Sequence, residues 1–378
     1  MTLARTGTEA RRQLSWTRTD WGLVVAALGL SLVGAMLVWS ATRSTSGNGY
    51  LVRHLLNTAV GVGLGLAVMR IDFRTIRAWA PWVYLASLLG LVAVLSPLGS
   101  TINGSRSWVQ LPGFSIQPAE LAKVALCIGL AMILAERGER DHPPPQRDVA
   151  LAVGLAAVPI LLVLAQPDLG SAVVLVMISL GVVAVSGASR WWLVGAAVGT
   201  VVAVVAAWTT PVLSDYQRDR LLAFADPSID PQGIGYQVSQ VRLAIGSGGW
   251  WGQGIGEGTQ TQGGFIPFQQ TDFVFSVAGE ELGFAGAAGL LLVSGFVVLR
   301  AFLIARDAQD SFGRLVATGV GCWLLFQTVQ NVGMNLGMLP VTGLPLPFVS
   351  YGGSSMFACW VAVGLLGNVH LVNLRRLF

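Results

Sequence analysis

Trp21-Gly22-Leu23-Val24-Val25-Ala26-Ala27-Leu28-Gly29-Leu30-Ser31-Leu32-Val33-Gly34-Ala35-Met36-Leu37-Val38-Trp39-Ser40-Ala41 carries no ionisable side chain. A hydrocarbon core of ~30 Å takes about 20 helical residues to cross, and this run is that long. Runs of the same kind recur near 54–69, 79–98, 119–135, 149–165, 171–188, 191–210, 273–299, 315–338 and 346–373, which makes ten. Charged residues are 11% of the chain and hydrophobic ones 53%, against roughly 25% and 45–50% in soluble domains. The bilayer is therefore the main solvent. The expected fold is an all-α integral membrane protein of about ten transmembrane helices, with a large extracytoplasmic loop between spans seven and eight.

Arg5, Arg11, Arg12 and Arg18 precede the first span, as basic residues precede a signal peptide. Its length and the spans after it argue for a retained anchor. With both termini (1–20 and 374–378) in the cytoplasm, the inner segments hold 16 arginines and the outer ones 6. The positive-inside rule then places the stretch 211–272 outside the cytoplasmic membrane. No soluble domain shows at either end, and Pro143-Pro144-Pro145 reads as a short stiff linker, so 1–378 is one polytopic domain. Cys127, Cys322 and Cys359 lie in apolar runs without paired spacing, and His54, His142 and His370 are scattered. That pattern argues against a disulfide framework and a metal cluster. The net charge of +4 calls for no nucleic-acid partner, because the arginine bias already has a topological cause.

The stretch 211–272 is the long interruption among these runs. Connections in compact domains are short, so a loop of this length that ends on Thr271-Asp272-Phe273 at a membrane surface is the first place to look for chemistry. Within it Ile234, Val238, Val241 and Ile245 fall on one helical face. Such a helix is expected in the interface plane, with Gln237, Gln240 and Arg242 toward polar surroundings. The glycines at 246–249 and 252–258 lack a preceding strand, so they are no nucleotide cradle; they serve either as turns or as a place where backbone approaches a ligand.

Six charged side chains stand in or beside the apolar runs: Glu120, Lys123, Asp168, Asp272, Glu280 and Glu281. By the topology above, the first four gather at the outer leaflet. Ions in a membrane cost roughly 2.5–3.5 kcal/mol each on insertion scales, so four at one leaflet point to a shared polar cavity. Asp272 admits two readings, a helix N-cap or a general base at the water–lipid boundary. Glu120 and Lys123, spaced i, i+3, form either a local ion pair or a substrate contact; Lys123 is the chain's single lysine. Lys123, Arg218, Arg220 and Arg242 could together neutralise a phosphate. Asp168 reads either as a turn-stabilising side chain or as part of the cavity. Glu280 and Glu281 point about 100° apart, so at least one faces the bundle interior, in a structural hydrogen-bonding role.

Gln117-Pro118-Ala119-Glu120-Leu121-Ala122-Lys123, Gln166-Pro167-Asp168-Leu169-Gly170-Ser171, Asp226-Pro227, Asp230-Pro231-Gln232-Gly233, Gly235-Tyr236-Gln237, Thr271-Asp272-Phe273, Gly279-Glu280-Glu281-Leu282-Gly283 and the segment Pro347 to Ser355 resemble signatures of the SEDS family (shape, elongation, division and sporulation; FtsW/RodA/SpoVE). The turn Leu339 to Pro347 is similar to the rod-shape-determining RodA branch. The resemblance implies a peptidoglycan glycosyltransferase in the cytoplasmic membrane that polymerises lipid II on the outer leaflet into a nascent glycan strand. It also implies a class B penicillin-binding protein partner among other elongation-complex membrane proteins. Asp272 matches the family's essential loop aspartate. Trp108, Gln117, Gln260, Ser350 and Ser354 join the charged residues as substrate-binding or supporting candidates. This chain departs from many relatives before Thr271-Asp272: Ile266-Pro267-Phe268-Gln269-Gln270 stands where they carry Leu-Pro-Glu and a His.

The chemistry fits one carboxylate. An α-linked diphosphate donor and a β-1,4 product require inversion, with a base on the acceptor hydroxyl. The diphosphate leaves as a weakly basic anion, so no paired acid is needed, unlike in glycoside hydrolases. Cations, or a divalent ion such as Mg or Mn held in part by Asp272, would stabilise the departing charge; no cofactor is otherwise required. Two competing classes are a lipid-precursor flippase and a non-catalytic scaffold for cell-wall enzymes. The first is disfavoured by the lack of an inverted repeat and by acidic groups crowding one leaflet; the second would not need Asp272.

Overall fold

The structure, a computed structural model, describes residues 18–102, 105–111, 114–135, 143–209, 224 and 233–376. Arg218, Arg220 and the 226–232 motif lie outside them. The chain begins with α1 (Trp21–Ser46), α2 (Gly49–Arg70) and α3 (Phe73–Leu95). A small sheet follows: β1 (Gly99–Ile102), β2 (Ser105–Leu111) and β3 (Phe114–Ile116). Next come α4 (Pro118–Ala135), α5 (Gln146–Leu164), α6 (Leu169–Val185) and α7 (Arg190–Thr209). The remainder is α8 (Ile234–Ser247), the short α9 (Thr259–Gly263), α10 (Val274–Glu281), α11 (Gly283–Asp307), α12 (Ser311–Asn335) and α13 (Gly353–Arg376). Among the described residues eight helices are long and apolar enough to cross a membrane, and Leu169–Val185 and Arg190–Val202 are shorter apolar segments. Together they occupy the ten places expected from the sequence.

The helices α4, α12 and α13 form the enclosed centre. Leu126, Leu130, Trp323 and Trp360 are almost wholly buried there, while α2, α3 and α7 present Leu56, Trp82 and Val201 outward. Between α2 and α13 the backbones nearly touch. A Cβ on Gly65 would come within 2.5 Å of the Trp360 carbonyl oxygen, and one on Gly364 within 2.4 Å of the Gly65 oxygen. With no hydrophobic drive between helices in lipid, such close approach by small residues is what packs them. Asp20 caps α1 by accepting from Leu23 N at 3.1 Å and also accepts from Arg300 Nε at 2.8 Å, which ties the start of α1 to α11.

Three features depart from the sequence reading. The apolar run 273–299 is not one helix: α10 ends at Glu281 and α11 begins at Gly283. Gly283 has φ +66°, and a Cβ there would lie 2.2 Å from Gly252 N. A break in a helix exposes backbone groups that lipid cannot satisfy, and the glycine-rich loop satisfies them. Gln253 N donates to Glu280 O at 2.9 Å and Gly254 N to Glu281 O at 3.1 Å; in return Phe284 N donates to Gly249 O at 2.8 Å and Ala285 N to Trp250 O at 3.1 Å. The glycines therefore act as turns at a helix break.

Second, α8 forms where the spacing predicted it, but its apolar stripe is covered by protein and not by lipid. Ile234, Val238 and Val241 pack with Phe273, Met334 and Val341. Third, the segment 99–116, which reads as a plain connection, is an antiparallel sheet in the order β1-β2-β3. Ser100 pairs with Trp108 and Gln110 with Ser115. Arg106 Nη2 donates to Ser96 O at 2.7 Å and Ser105 Oγ to Gln166 O at 2.8 Å, which fixes the sheet over the ends of α3 and α5.

Candidate active site

A cavity of about 250 Å³ opens where four segments converge: the sheet (Ser105, Ser107, Trp108, Ser115), the α5–α6 turn (Pro167, Asp168, Leu169), the turn before α10 (Phe268, Thr271, Asp272) and the irregular segment between α12 and α13 (Pro340 to Ser355). Each segment is locally determined. Pro118 at the first position of α4 needs no amide partner, and just before it Gln117 N donates to Ser354 Oγ at 2.9 Å. Asp168 caps α6 through Ser171 N at 3.0 Å while its other oxygen accepts from Gln117 Nε2 at 3.0 Å. It is thus both a turn stabiliser and part of the wall.

Asp272 lines the cavity. The N-cap of α10 is Phe273, and no side chain caps it; the amide of Ser276 is taken by Asn335 Oδ1 at 3.1 Å. The cap reading of Asp272 therefore gives way to a different arrangement, in which the backbone around Asp272 is held from outside. Asn331 Nδ2 and Asn335 Nδ2 donate to Asp272 O at 2.9 and 3.1 Å, and Ser350 Oγ donates to Thr271 O at 2.5 Å. Asn331 and Asn335 were not among the sequence candidates. The signal was present, for Gln327, Asn331 and Asn335 recur every four residues within a membrane-length run, a polar stripe that must face protein.

Glu120 and Lys123 are buried beside the cavity without lining it. Lys123 Nζ lies 2.5 Å from Glu120 Oε1 and 2.8 Å from Gln327 Oε1. Gln327 also accepts from Trp323 Nε1 at 2.7 Å and donates to Pro345 O at 2.8 Å, and Pro345 does line the cavity. The ion pair is thus local, and it reaches the site only through Gln327. Arg242 donates to Gly337 O at 2.9 Å and does not line the cavity. Among the described residues no lysine or arginine lines the cavity, so the described cations do not assemble there as a phosphate clamp.

Glu280 and Glu281 are both buried and both structural. Glu280 accepts from Gln260 N at 2.7 Å, Thr261 N at 2.9 Å and Thr261 Oγ1 at 2.7 Å, gripping the start of α9; Glu281 accepts from Ser40 Oγ at 2.5 Å. Gln260 sits on α9 behind this grip and away from the cavity. Ser354, whose Oγ also donates to Ser115 O at 3.3 Å, joins α13 to the sheet. The described residues form no all-protein cage for a resident divalent ion. Among the described residues no three His, Cys, Asp or Glu side chains cluster, and Asp168 already spends both oxygens on Ser171 and Gln117.

Residues 18–374 match the FtsW/RodA/SpoVE family, described as a cell cycle protein family. The chain is 37% identical over 352 residues to the peptidoglycan glycosyltransferase MrdB of Escherichia coli (strain K12), which covers 93% of each chain. It is 35% identical over 366 residues to the probable peptidoglycan glycosyltransferase FtsW of Trichlorobacter lovleyi, covering 95% of each. Among solved structures, the rod shape determining protein RodA of Thermus thermophilus is 33% identical with a TM-score of 0.69, covering 93% of this chain and 96% of that one. A chain of a peptidoglycan synthase complex, studied for the structural coordination of polymerization and crosslinking, is 36% identical with a TM-score of 0.79, covering 94% and 98%. The broken span, the sheet and the polar cavity thus belong to a chain that is alike in sequence and in fold over nearly its whole length, and that chain is a member of the FtsW/RodA/SpoVE family.

Proposed function

We propose that this protein is a peptidoglycan glycosyltransferase of the elongation branch, joining lipid II disaccharides into β-1,4 glycan on the outer face of the cytoplasmic membrane. The observation that carries the reading is Asp272, an acid on an externally braced turn that lines a cavity whose polar groups include serines, Thr271, Gln117 and Asp168, set among apolar residues such as Trp108, Leu169 and Val341. A base must be held within hydrogen-bond reach of the hydroxyl it serves, and bracing of the turn at Thr271 O and Asp272 O supplies that positioning. The acceptor 4-hydroxyl gives its proton to the Asp272 carboxylate as its oxygen bonds to the anomeric carbon of the donor. The carbon–oxygen bond to the diphosphate breaks on the opposite face, and the lipid diphosphate leaves with the electron pair. The arginine bias supports cytoplasmic termini and an outer 211–272 loop. A class B penicillin-binding protein is the crosslinking partner this reading requires, in keeping with the solved synthase complex.

The test is polymerisation of fluorescent lipid II by the purified protein with its partner transpeptidase, wild type against Asp272→Asn. Wild type is expected to make long glycan. The variant, folded and partner-bound, should make at least a hundredfold less, the scale on which a positioned base contributes. Equal product from both would overturn the role of Asp272, and no product from either would overturn the activity.

A further inference from the structure

Phe268 carries two features that the chemistry of Asp272 does not use. The residue is 42% exposed and lines the same cavity. Its backbone sits at φ +56°, in the left-handed region where a bulky L-residue is a genuine outlier. Such an outlier persists only where its surroundings over-determine it, and outliers of this kind gather at ligand sites.

Here the surroundings act residue by residue. The Gln269 side chain is buried and donates from Nε2 to Ala41 O at 2.7 Å and to Thr261 O at 3.1 Å. Gln270 O accepts from Tyr351 N at 2.9 Å, and the next two carbonyls are taken by Ser350 and by Asn331 with Asn335. Phe268 O itself accepts from the amides of Thr271 and Asp272, each at 3.1 Å. With residue 269 drawn into the protein and the following carbonyls fixed, the left-handed turn delivers the ring at 268 to the cavity. The carboxylate of the same five-residue turn lines it too.

The rest of the lining says what the ring meets. Ser105, Ser107, Ser115, Thr271 and Asp168 line the same cavity with hydroxyl and carboxylate oxygens, among apolar residues such as Trp108, Leu169 and Val341. A polyprenyl tail would call for a lining free of these oxygens, and a diphosphate for basic groups that the described lining lacks. A flat apolar face ringed by hydrogen-bonding groups suits a pyranose with equatorial substituents, whose edge is polar and whose ring faces are C–H surfaces. We propose that Phe268 is a substrate-contacting residue that stacks on the C–H face of a pyranose of the lipid-linked saccharide and holds that sugar beside Asp272. The proposal rests on the glycosyltransferase reading and adds a sugar-binding determinant to it.

The test is binding, which needs no turnover. Fluorescent lipid II and sugar-free undecaprenyl diphosphate are titrated into full-length protein in nanodiscs, as wild type, Phe268→Ala, Phe268→Gly and Phe268→Tyr. The expected result is about tenfold weaker lipid II binding for the Ala and Gly variants, near wild-type binding for Tyr, and unchanged binding of undecaprenyl diphosphate by all. In a polymerising preparation the same two variants should raise KM with little change in kcat. Phe268→Gly separates ring from backbone, because glycine adopts the left-handed turn freely; this variant should unfold no earlier than wild type. Unchanged lipid II affinity in Phe268→Gly would overturn the proposal, and so would equal weakening of both ligands. Inactive wild-type protein that still shows the sugar-dependent loss would instead count against the polymerase reading alone.

Discussion

At the scale of single residues, the buried charges do different work from one another. Glu280 satisfies two amides and two hydroxyls at the start of α9; removing it leaves buried donors without an acceptor. Glu280→Ala should therefore destabilise the protein by about 3 kcal/mol, read as a lower unfolding temperature in detergent, with Glu280→Gln recovering part of the loss. The Glu120–Lys123 pair is buried on both sides. Lys123→Met alone should cost about 3–5 kcal/mol by stranding Glu120, whereas Glu120→Gln with Lys123→Met should cost less than the two single changes added together. A stability cycle on the four proteins checks this, and strict additivity would refute it. Asp272 was legible in the sequence because a carboxylate at the end of a long loop has few neighbours to explain it. Whether Lys123 faces the cavity or its own helix partner was not, since i, i+3 spacing fixes proximity and only tertiary packing fixes which way the helix is turned. Phe268 gave no signal, because a left-handed turn on a bulky residue is imposed by contacts distant in sequence.

At the scale of elements, the break between α10 and α11 governs how this end of the bundle is built. Gly283 meets the backbone of Gly252 and Trp251, while Gly289, farther along α11, has open space around its Cβ position. Gly283→Ala should thus cost at least 3 kcal/mol through overlap and left-handed strain and leave little folded protein, and Gly289→Ala should be neutral or slightly stabilising. Yield and unfolding temperature of the two variants make the comparison. Composition did not show this break, because glycine is frequent in membrane helices and Gly283 is one of five glycines between Phe273 and Leu299. The sheet was hidden for another reason: its strands are short, and their residues pair across a bulge between Ser100 and Thr101 that no local period reveals. The stripe on α8 was readable as a helix face, but an apolar face looks the same whether lipid or protein covers it.

At the scale of the whole molecule, Trp79, Trp82 and Trp191 stand exposed at one end and Trp250 with Trp251 at the other, the two aromatic belts of a membrane protein. The proposed orientation puts the second belt outside. Cys127 and Cys359 are buried and Cys322 is half-buried, so added cysteines can be read against a low background. Glu257→Cys should react with an impermeant maleimide in intact cells, and Asp307→Cys only after permeabilisation; the reverse pattern would invert the topology. The burial of Lys123 has a further use. Apart from the three histidines, every other basic side chain is an arginine, which acylating reagents leave alone, and this lone side-chain amine is 0% exposed. The native protein therefore has no reactive lysine to offer. Acetylation of the peptide that contains it becomes a clock for opening of the bundle, started only when α4 comes away from α12.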